Sequence, residues 1–244
     1  MRPALRMLVP ALLLSLSAFT SLRAQSPQAD SDVRGRVEQR LLQKKIRGIK
    51  VSATGGAVTL TGALPSAGDK QDLVTDLLKV DGVEEIFSEL TITRAESDRA
   101  LAERAAAAVR DYSRFTVFDE IEVNVNDGVV TVAGYVTTPI KSQELQDQLS
   151  HIRGVQDLVN RIEVLPASSS DERLRTAIAT VIYRDPLFTR YAEQRTPPLH
   201  IIVRNARVLL TGVVNTEAER IKAESLARGV IGVLGVQNQL RTER

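Results

Sequence analysis

Residues 58–62 read Val-Thr-Leu-Thr-Gly, residues 130–134 read Val-Thr-Val-Ala-Gly, and residues 208–212 read Val-Leu-Leu-Thr-Gly. Each stretch has the apolar and polar residues of a half-buried strand and ends in glycine. A second glycine, followed by valine, lies 20 residues after the first glycine in every copy. Three identical spacings indicate an internal repeat. The six glycines are Gly62, Gly82, Gly134, Gly154, Gly212 and Gly232.

The residues around these stretches predict five elements in each copy. An alternating segment begins 13 residues before the first glycine and another follows the second glycine, so each copy contains three strands. Residues that tolerate positive φ separate the first two strands, which is typical of a hairpin. An apolar stripe between the glycines predicts one helix, and a Ser-Asp pair marks the start of another. The Ser-Asp pairs are Ser31-Asp32, Ser97-Asp98 and Ser170-Asp171.

The order helix, strand, strand, helix, strand predicts an α+β fold of three tandem αββαβ two-layer sandwiches. Their expected boundaries are residues 31–94, 97–166 and 170–242. The second helix is the crossover that returns the chain to the sheet. We expect the first glycine to let the strand turn sharply into this crossover and the second to end the helix as a left-handed cap. The glycines are interpreted as structural positions rather than ligand-binding positions.

The first residues predict export. Arg2 and Arg6 precede an apolar stretch over residues 7–19, which is typical of a signal peptide over residues 1–24 that is cut after Ala24. The apolar stretch is shorter than the ~20 residues that a membrane-spanning helix needs, although an uncleaved anchor is the alternative. The chain has no cysteine, which excludes disulfides, thiolate metal sites and a lipid anchor on an N-terminal cysteine. We therefore expect a periplasmic protein.

The charge balance argues against one class of partner. Without residues 1–24, 29 basic and 30 acidic residues are left, so the exported chain is near neutral. The basic character of the whole sequence depends on the export signal. This removes the compositional argument for nucleic-acid binding.

No residue pattern indicates catalysis. The two histidines, His151 and His200, lack a partner three or four residues away of the kind that a helical zinc site shows. The chain contains no G-x-S-x-G, P-loop or dinucleotide-binding motif, because the glycines at 229, 232 and 235 have the wrong spacing. We expect neither an enzyme nor a bound metal or cofactor.

These features resemble the BON domain, a module named for bacterial osmotically inducible periplasmic and nodulation proteins. The resemblance rests on the strand that ends in glycine, the Gly-Val pair 20 residues later, and endings such as Val-Asn-Arg-Ile over residues 159–162. It covers nearly all of residues 31–242 and implies an envelope role without catalysis, commonly attachment to phospholipid or to other envelope components. The first copy has Ser88-Glu89 where the others have Asn-Arg or Asn-Gln, so it does not imply that all three bind alike.

The loop between the first helix and the first strand is one candidate binding surface. Its length varies among the copies, and it collects aromatic residues together with arginines. This combination is typical of a lipid interface or of stacking on a partner. The alternative is that the rings fold back to close a small core. The aromatic candidates are Tyr112, Phe115, Phe118, Phe188 and Tyr191.

The opening helix of the first copy is a second candidate. Basic side chains there share a face beside apolar residues, and such an edge can meet anionic headgroups, although a merely solvated face is the alternative. These residues are Arg36, Arg40, Lys44 and Arg47. The sequence thus predicts peripheral binding to an anionic phospholipid surface. A scaffold for an envelope protein or for envelope stress is the alternative.

Overall fold

The computed structural model describes residues 27–94, 96–194 and 197–243. Three modules follow one another, and each combines helices with a small sheet. The expected signal peptide, residues 1–24, and its cleavage site lie outside the described residues. Within the part of the chain that the structure describes, no helix has both the length and the hydropathy needed to span a bilayer.

Each module has the element order αββαβ. Module 1 comprises α1 (Pro27–Gln43), β1 (Lys50–Thr54), β2 (Ala57–Leu64), α2 (Ala67–Leu77) and β3 (Glu85–Ile92). Module 2 comprises α3 (Asp98–Asp111), β4 (Glu120–Asn126), β5 (Val129–Val136), α4 (Pro139–Ser150) and β6 (Asp157–Val164). Module 3 comprises α5 (Ser169–Arg184), the one-turn helix α6 (Thr189–Ala192), β7 (Leu199–Arg204), β8 (Arg207–Val214), α7 (Glu217–Arg228), β9 (Gly235–Asn238) and β10 (Arg241–Thr242).

The second strand of each module is the centre of its sheet. In module 1, β2 pairs antiparallel with β1 and parallel with β3, and module 2 has the same arrangement. In module 3, β9 and β10 both pair in parallel with β8. A parallel neighbour requires a crossover connection, which the second helix of each module supplies. The predicted α+β fold of three tandem αββαβ units is confirmed.

Every module has its own hydrophobic core. Alternate residues of the central strand point to the two helices, because side chains of a strand alternate between its faces. In module 1, Val58 and Leu60 of β2 are fully buried against Val37 of α1 and against Leu73 and Leu77 of α2. Burial of such a side chain contributes about 1.5–3 kcal/mol to stability. Helix–sheet packing within each module therefore drives its folding.

A carboxylate near the start of the first helix holds the hairpin turn in every module. In module 3, Asp171 accepts hydrogen bonds from the backbone N–H groups of Asn205 and Ala206 at 2.8 and 2.9 Å. These two turn residues have φ of 52° and 58°, a conformation that is unusual for a residue with a Cβ atom. The carboxylate stabilises this turn. Equivalent bonds join Asp98 to Asp127 and Gly128, and Asp30 to Gly55.

The helix starts differ in part from those expected. The side chain of Ser97 accepts a hydrogen bond from an amide of the first turn of α3, as an N-cap does. Helix α5 is capped by Ser168 rather than by Ser170, and α1 begins at Pro27, before Ser31. The aspartates of the pairs in modules 2 and 3 bind the hairpin turns, because their carboxylates reach across to the sheet.

The first glycine of each repeat lies inside the central strand. The strands continue two residues beyond Gly62, Gly134 and Gly212, so the expectation of a sharp turn at these positions is wrong. Their φ values are 153°, 126° and 101°. A Cβ atom on any of them would overlap a backbone carbonyl oxygen at or just before the first strand. The close approach of two backbones explains glycine at this position.

The second glycine of each repeat lies in a β-turn after the second helix. Helix α2 ends at Leu77, and its cap residue Leu78 has right-handed backbone angles, so Gly82 is not the expected helix cap. Gly82, Gly154 and Gly232 occupy the third position of turns that the N–H of the following valine closes. Their φ values are 85°, 97° and 98°. Glycine suits this position because a β-turn with positive φ there excludes most side chains.

Replacing Gly134 by alanine is expected to lower the free energy of unfolding by about 2 kcal/mol or more. The added Cβ meets the carbonyl oxygen of Glu120, and the backbone has positive φ. Urea unfolding measures the change. Gly35→Ala in α1 is the control, because nothing lies within 4 Å of an added Cβ there, and alanine favours a helix by about 0.5–1 kcal/mol. Equal effects of the two substitutions would contradict this explanation.

Candidate functional site

The basic residues of α1 do not form one free surface. Arg40 donates two hydrogen bonds of 2.7 Å to the carboxylate of Asp76 in α2, and Lys44 lies 3.5 Å from the same carboxylate. The hydrogen bond from Arg40 is the main reason that the pKa of Asp76 falls to about 2. Two of the four predicted cations are therefore balanced in part by one carboxylate within module 1.

Only Arg36 and Arg40 share the predicted face on α1, where both line one shallow cleft. Arg36 donates its Nε–H to the carbonyl oxygen of Asp81 at 2.9 Å. Helix α1 ends at Gln43, so Lys44 and Arg47 lie in the loop that follows it. The predicted single basic helix face is wrong in this respect, because the chain leaves the helix before its last two members.

The aromatic residues of the module 3 loop fold inward. Phe188 and Tyr191 are 0% and 3% exposed and belong to the module 3 core. The hydroxyl of Tyr191 donates to the Glu219 carboxylate at 2.8 Å and accepts from the Asn215 N–H at 2.9 Å. The sequence left open the alternative that these rings fold back to close a small core. The structure shows this alternative for Phe188 and Tyr191.

The aromatic residues of the module 2 loop make internal contacts. The ring of Phe115 packs edge-on against His200 of module 3 with 5.5 Å between centroids, and Phe118 packs against the module 3 core. Tyr112 bonds through its hydroxyl to Glu144, and burial together with this carboxylate raises the pKa of Tyr112 to about 12. Phe115 and Phe118 join modules 2 and 3, and Tyr112 packs within module 2.

Module 3 carries an exposed apolar loop that the sequence patterns did not single out. Ile231 is 97% exposed and Leu234 is 74% exposed, on either side of the turn at Gly232. We call Ile231 and Leu234 the apolar tip. Position-by-position comparison of the three copies would have revealed it, because the equivalent residues elsewhere are polar. They are Asp81 and Glu84 in module 1, and Arg153 and Gln156 in module 2.

The apolar tip lies beside arginines. Leu234 donates its backbone N–H to the carbonyl oxygen of Ala206 at 2.9 Å, which ties the tip to the turn between β7 and β8. Arg207 follows this turn and is exposed, and Arg228 at the end of α7 donates to the carbonyl oxygen of Val236 at 3.2 Å. Apolar side chains beside basic ones are typical of segments that bind the membrane interface.

The equivalent loop of module 2 is already occupied by a neighbour. Gly154 donates its N–H to the carbonyl oxygen of Pro65 at 2.8 Å, and the carbonyl oxygen of Val155 accepts from the Ala67 N–H at 2.9 Å. Val155 is fully buried at this contact between modules 1 and 2, which we call the first joint. The contact between modules 2 and 3 is the second joint. The Gly-Val loop of this repeat can therefore dock on the junction between a strand and a helix of another module.

The described residues do not assemble a metal site. Among residues 27–94, 96–194 and 197–243, no three His, Asp or Glu side chains come close enough to hold an ion. His151 and His200 lie in different joints, since His151 contacts module 1 and His200 contacts module 2. They therefore do not converge on one centre.

Comparison with known proteins identifies the repeat. The family model for the BON domain matches residues 29–94, 97–166 and 170–244. The chain belongs to the BON domain family. Osmotically-inducible protein Y of Escherichia coli (strain K12) is 25% identical to it over 198 residues, which cover 80% of this chain and 98% of that protein.

Solved structures also show a likeness to these BON domains. The C-terminal domain of CdsD, the structural protein of the type III secretion system of Chlamydia trachomatis, is 16% identical, with a TM-score of 0.26. The match covers 87% of this chain and 98% of that chain. A second structure of CdsD has the same TM-score and covers 87% of this chain and 94% of that one.

The joint between the second and third BON domains contains a buried ion pair. Lys141 lies 2.6 Å from Asp119, which is fully buried and also accepts the backbone N–H of Thr116. These bonds fix the loop before β4, and the carbonyl oxygen of Val117 in this loop accepts from the Ile201 N–H of β7 at 2.7 Å. The loop thereby covers the outer edge of β7, which an open sheet would leave unpaired.

The two histidines lie in the two joints between BON domains, and their pKa values are shifted in opposite directions. Burial lowers the pKa of His200 from 6.5, while the charge of Asp119 opposes this shift. A hydrogen bond with the carbonyl oxygen of Asp147 raises the pKa of His151, and the carboxylate of Asp72 in module 1, 3.2 Å away, adds to the rise. Protonation therefore disfavours the second joint and favours the first.

Acidification is expected to destabilise the protein through His200. Because the folded chain keeps this ring neutral, the unfolded chain binds more protons below about pH 6.5, and stability falls as the pH drops through this value. The loss is at most about 1.4 kcal/mol per pH unit. Urea unfolding between about pH 7.5 and 5.5 measures the slope. His200→Gln is expected to flatten it.

His151→Asn is the control of opposite sign. The raised pKa of His151 contributes stability that is present below about pH 6.5 and is lost as the pH rises through the folded-state value. Its removal is expected to steepen the loss of stability on acidification. If both variants kept the slope of the unmodified protein, histidine protonation would play no part in either joint.

Proposed function

We propose that this BON-domain protein is a non-catalytic periplasmic binding protein that attaches peripherally to anionic phospholipid through the apolar tip of module 3. The observation that carries the proposal is the exposure of Ile231 and Leu234 at 97% and 74% on one loop. Two large apolar side chains exposed to water on one loop are an unfavourable arrangement for a free surface. Insertion into the acyl boundary of a membrane removes them from water.

The expected energies suit reversible attachment. Complete transfer of an Ile or Leu side chain from water contributes about 1.5–3 kcal/mol. Each arginine close to an anionic surface adds about 1 kcal/mol. Arg207 follows the turn that binds the tip, and the charge of Arg228 is partly balanced by Glu224. This sum supports a peripheral contact that depends on salt, because surface charge is screened within a Debye length of about 10 Å.

The relationship to other proteins supports an envelope role. The chain belongs to the BON domain family. Its similarity to osmotically-inducible protein Y covers nearly the whole length of that relative, whose name refers to osmotic induction. The N-terminal sequence predicts export through residues 1–24. Attachment to the envelope during osmotic stress is the role that these observations favour.

The experiment is sedimentation with vesicles of phosphatidylglycerol mixed into phosphatidylcholine, with pure phosphatidylcholine as the neutral surface. Binding to the anionic vesicles is expected to weaken as salt rises. The double variant Ile231→Ser, Leu234→Ser is expected to bind at least about tenfold more weakly, because apolar burial is lost.

Leu42→Ser is the matched control for this experiment. Leu42 is 73% exposed on α1, close in sequence to the predicted basic residues Arg40 and Lys44. Unchanged binding of this variant, together with loss in the tip variant, supports the proposal. Loss of binding in Leu42→Ser with an unaffected tip variant would assign the contact to α1 and reject the apolar tip.

A second candidate function is docking on an envelope protein. It is favoured by the joint between modules 1 and 2, where the loop equivalent to the apolar tip binds a strand–helix junction through two main-chain hydrogen bonds. In this case the unmodified protein captures a specific protein from lipid-free envelope extract and the tip variant does not. The two proteins then behave alike with vesicles. The two assays together separate this function from lipid attachment.

A further inference from the structure

A cleft of about 440 Å³ lies on the outer face of the module 3 sheet, at the joint with module 2. This is the face that the module's helices leave open. Its lining includes a tyrosine of module 2 and several long polar side chains of module 3. We call it the arginine cleft and define it by Tyr135, Arg204, Arg207, Arg228 and Gln237.

Two arginines that line this cleft are paired across neighbouring strands, with Arg204 directed toward Glu163 of module 2 and Arg207 toward Gly235 of β9. Arg204 of β7 and Arg207 of β8 are direct cross-strand partners. Like charges directly opposite in a sheet are destabilising, so folding alone gives no reason for this pair. The equivalent pairs are uncharged in the other modules, where they are Thr54 with Ala57 and Asn126 with Val129.

The positive charge is only partly balanced by neighbouring acids. Arg204 lies 2.8 Å from Glu163 of module 2, and its guanidinium lies 5.7 Å from the ring centroid of Tyr135. Arg228 pairs with Glu224 at 2.7 Å. The guanidinium group of Arg207 makes no ion pair or hydrogen bond with any residue that the structure describes. Three guanidinium groups and two paired carboxylates leave the arginine cleft with one uncompensated positive charge and unused donors.

We propose that the arginine cleft binds the phosphate group of a phosphate ester. Guanidinium groups bind phosphate oxygens in pairs through charge-assisted hydrogen bonds, and two of them on opposite strands can share one phosphate between them. An anion between Arg204 and Arg207 also relieves their mutual repulsion. The ring of Tyr135 closes one side of the cleft and can pack against the carbon atoms of the esterified alcohol.

The arginine cleft and the apolar tip are joined by one turn. Ala206 lies between the two strands that carry Arg204 and Arg207, and its carbonyl oxygen accepts the N–H of Leu234. A phospholipid can therefore place its headgroup in the cleft while the tip contacts its acyl chains. This source of the phosphate rests on the proposed function, whereas binding of a free phosphate ester does not depend on it.

The test is calorimetric titration of the purified protein with sn-glycerol 3-phosphate, accompanied by sedimentation with the phosphatidylglycerol vesicles. Saturable binding of the soluble ester is expected. Arg207→Gln is expected to weaken it about tenfold, since one charge-assisted contact is lost. Arg207→Lys keeps the charge but loses the planar pair of N–H donors. Its affinity for the ester is expected to lie between that of the unmodified protein and that of Arg207→Gln.

Arg99→Gln is the matched control. It removes the same charge from a side chain that is 90% exposed on α3 and is expected to leave both assays unchanged. Arg207→Gln removes the like-charge pair, so its thermal unfolding midpoint is expected to be equal to or higher than that of the unmodified protein. A loss of ester binding in Arg207→Gln is then not a folding defect.

The outcomes separate the sources and the two proposals. Because the charge of Arg207 also lies beside the tip, the source of the phosphate is assigned with Arg207→Lys, which keeps this charge. Weaker binding of both ester and vesicles by Arg207→Lys assigns the cleft to a lipid headgroup, and weaker binding of the ester alone assigns it to a free phosphate ester. Ester binding by an unmodified protein that binds no vesicles upholds the cleft and rejects membrane attachment. The cleft proposal is overturned if the ester does not bind saturably, or if Arg207→Gln and Arg99→Gln weaken it equally.

Discussion

The hydrogen bonds between the first helix and the hairpin turn control the geometry of each BON domain. In module 3, Asp171 holds the two amides of the turn at Asn205 and Ala206, where both residues have positive φ. The same turn then accepts the N–H of Leu234. A carboxylate at the start of α5 thus determines the position of the apolar tip, as well as the places where β7 ends and β8 begins.

Three copies of one fold use the same loop in three ways. The loop after the second helix carries acidic residues in module 1, is buried against a neighbour in module 2, and is exposed and apolar in module 3. Its backbone is similar in all three, because the central glycine has φ of 85°, 97° and 98°. Divergence of side chains on a constant backbone lets one module dock within the chain and another face outward.

Much of the fold could be predicted from the sequence, because strand alternation, the helical stripe and equal spacings are local signals. The roles of the glycines could not, since overlap at Gly134 depends on the backbone of β4, which approaches from another strand. The inward direction of Phe188 and the pairing of Arg40 with Asp76 also depend on tertiary contacts. The apolar tip could have been predicted from the sequence, because the aligned copies differ in polarity at positions 231 and 234.

The first joint requires an amide hydrogen at the start of a crossover helix, which Ala67 supplies to Val155. Helix α4 of module 2 begins at the equivalent position with Pro139, whose ring nitrogen carries no hydrogen. One of the two main-chain hydrogen bonds of the first joint therefore has no counterpart on module 2, and module 3 is attached through its sheet and edge strand. An imino acid at the start of one crossover helix thus coincides with the end of the regular stacking, and the last Gly-Val loop of the described array stays exposed.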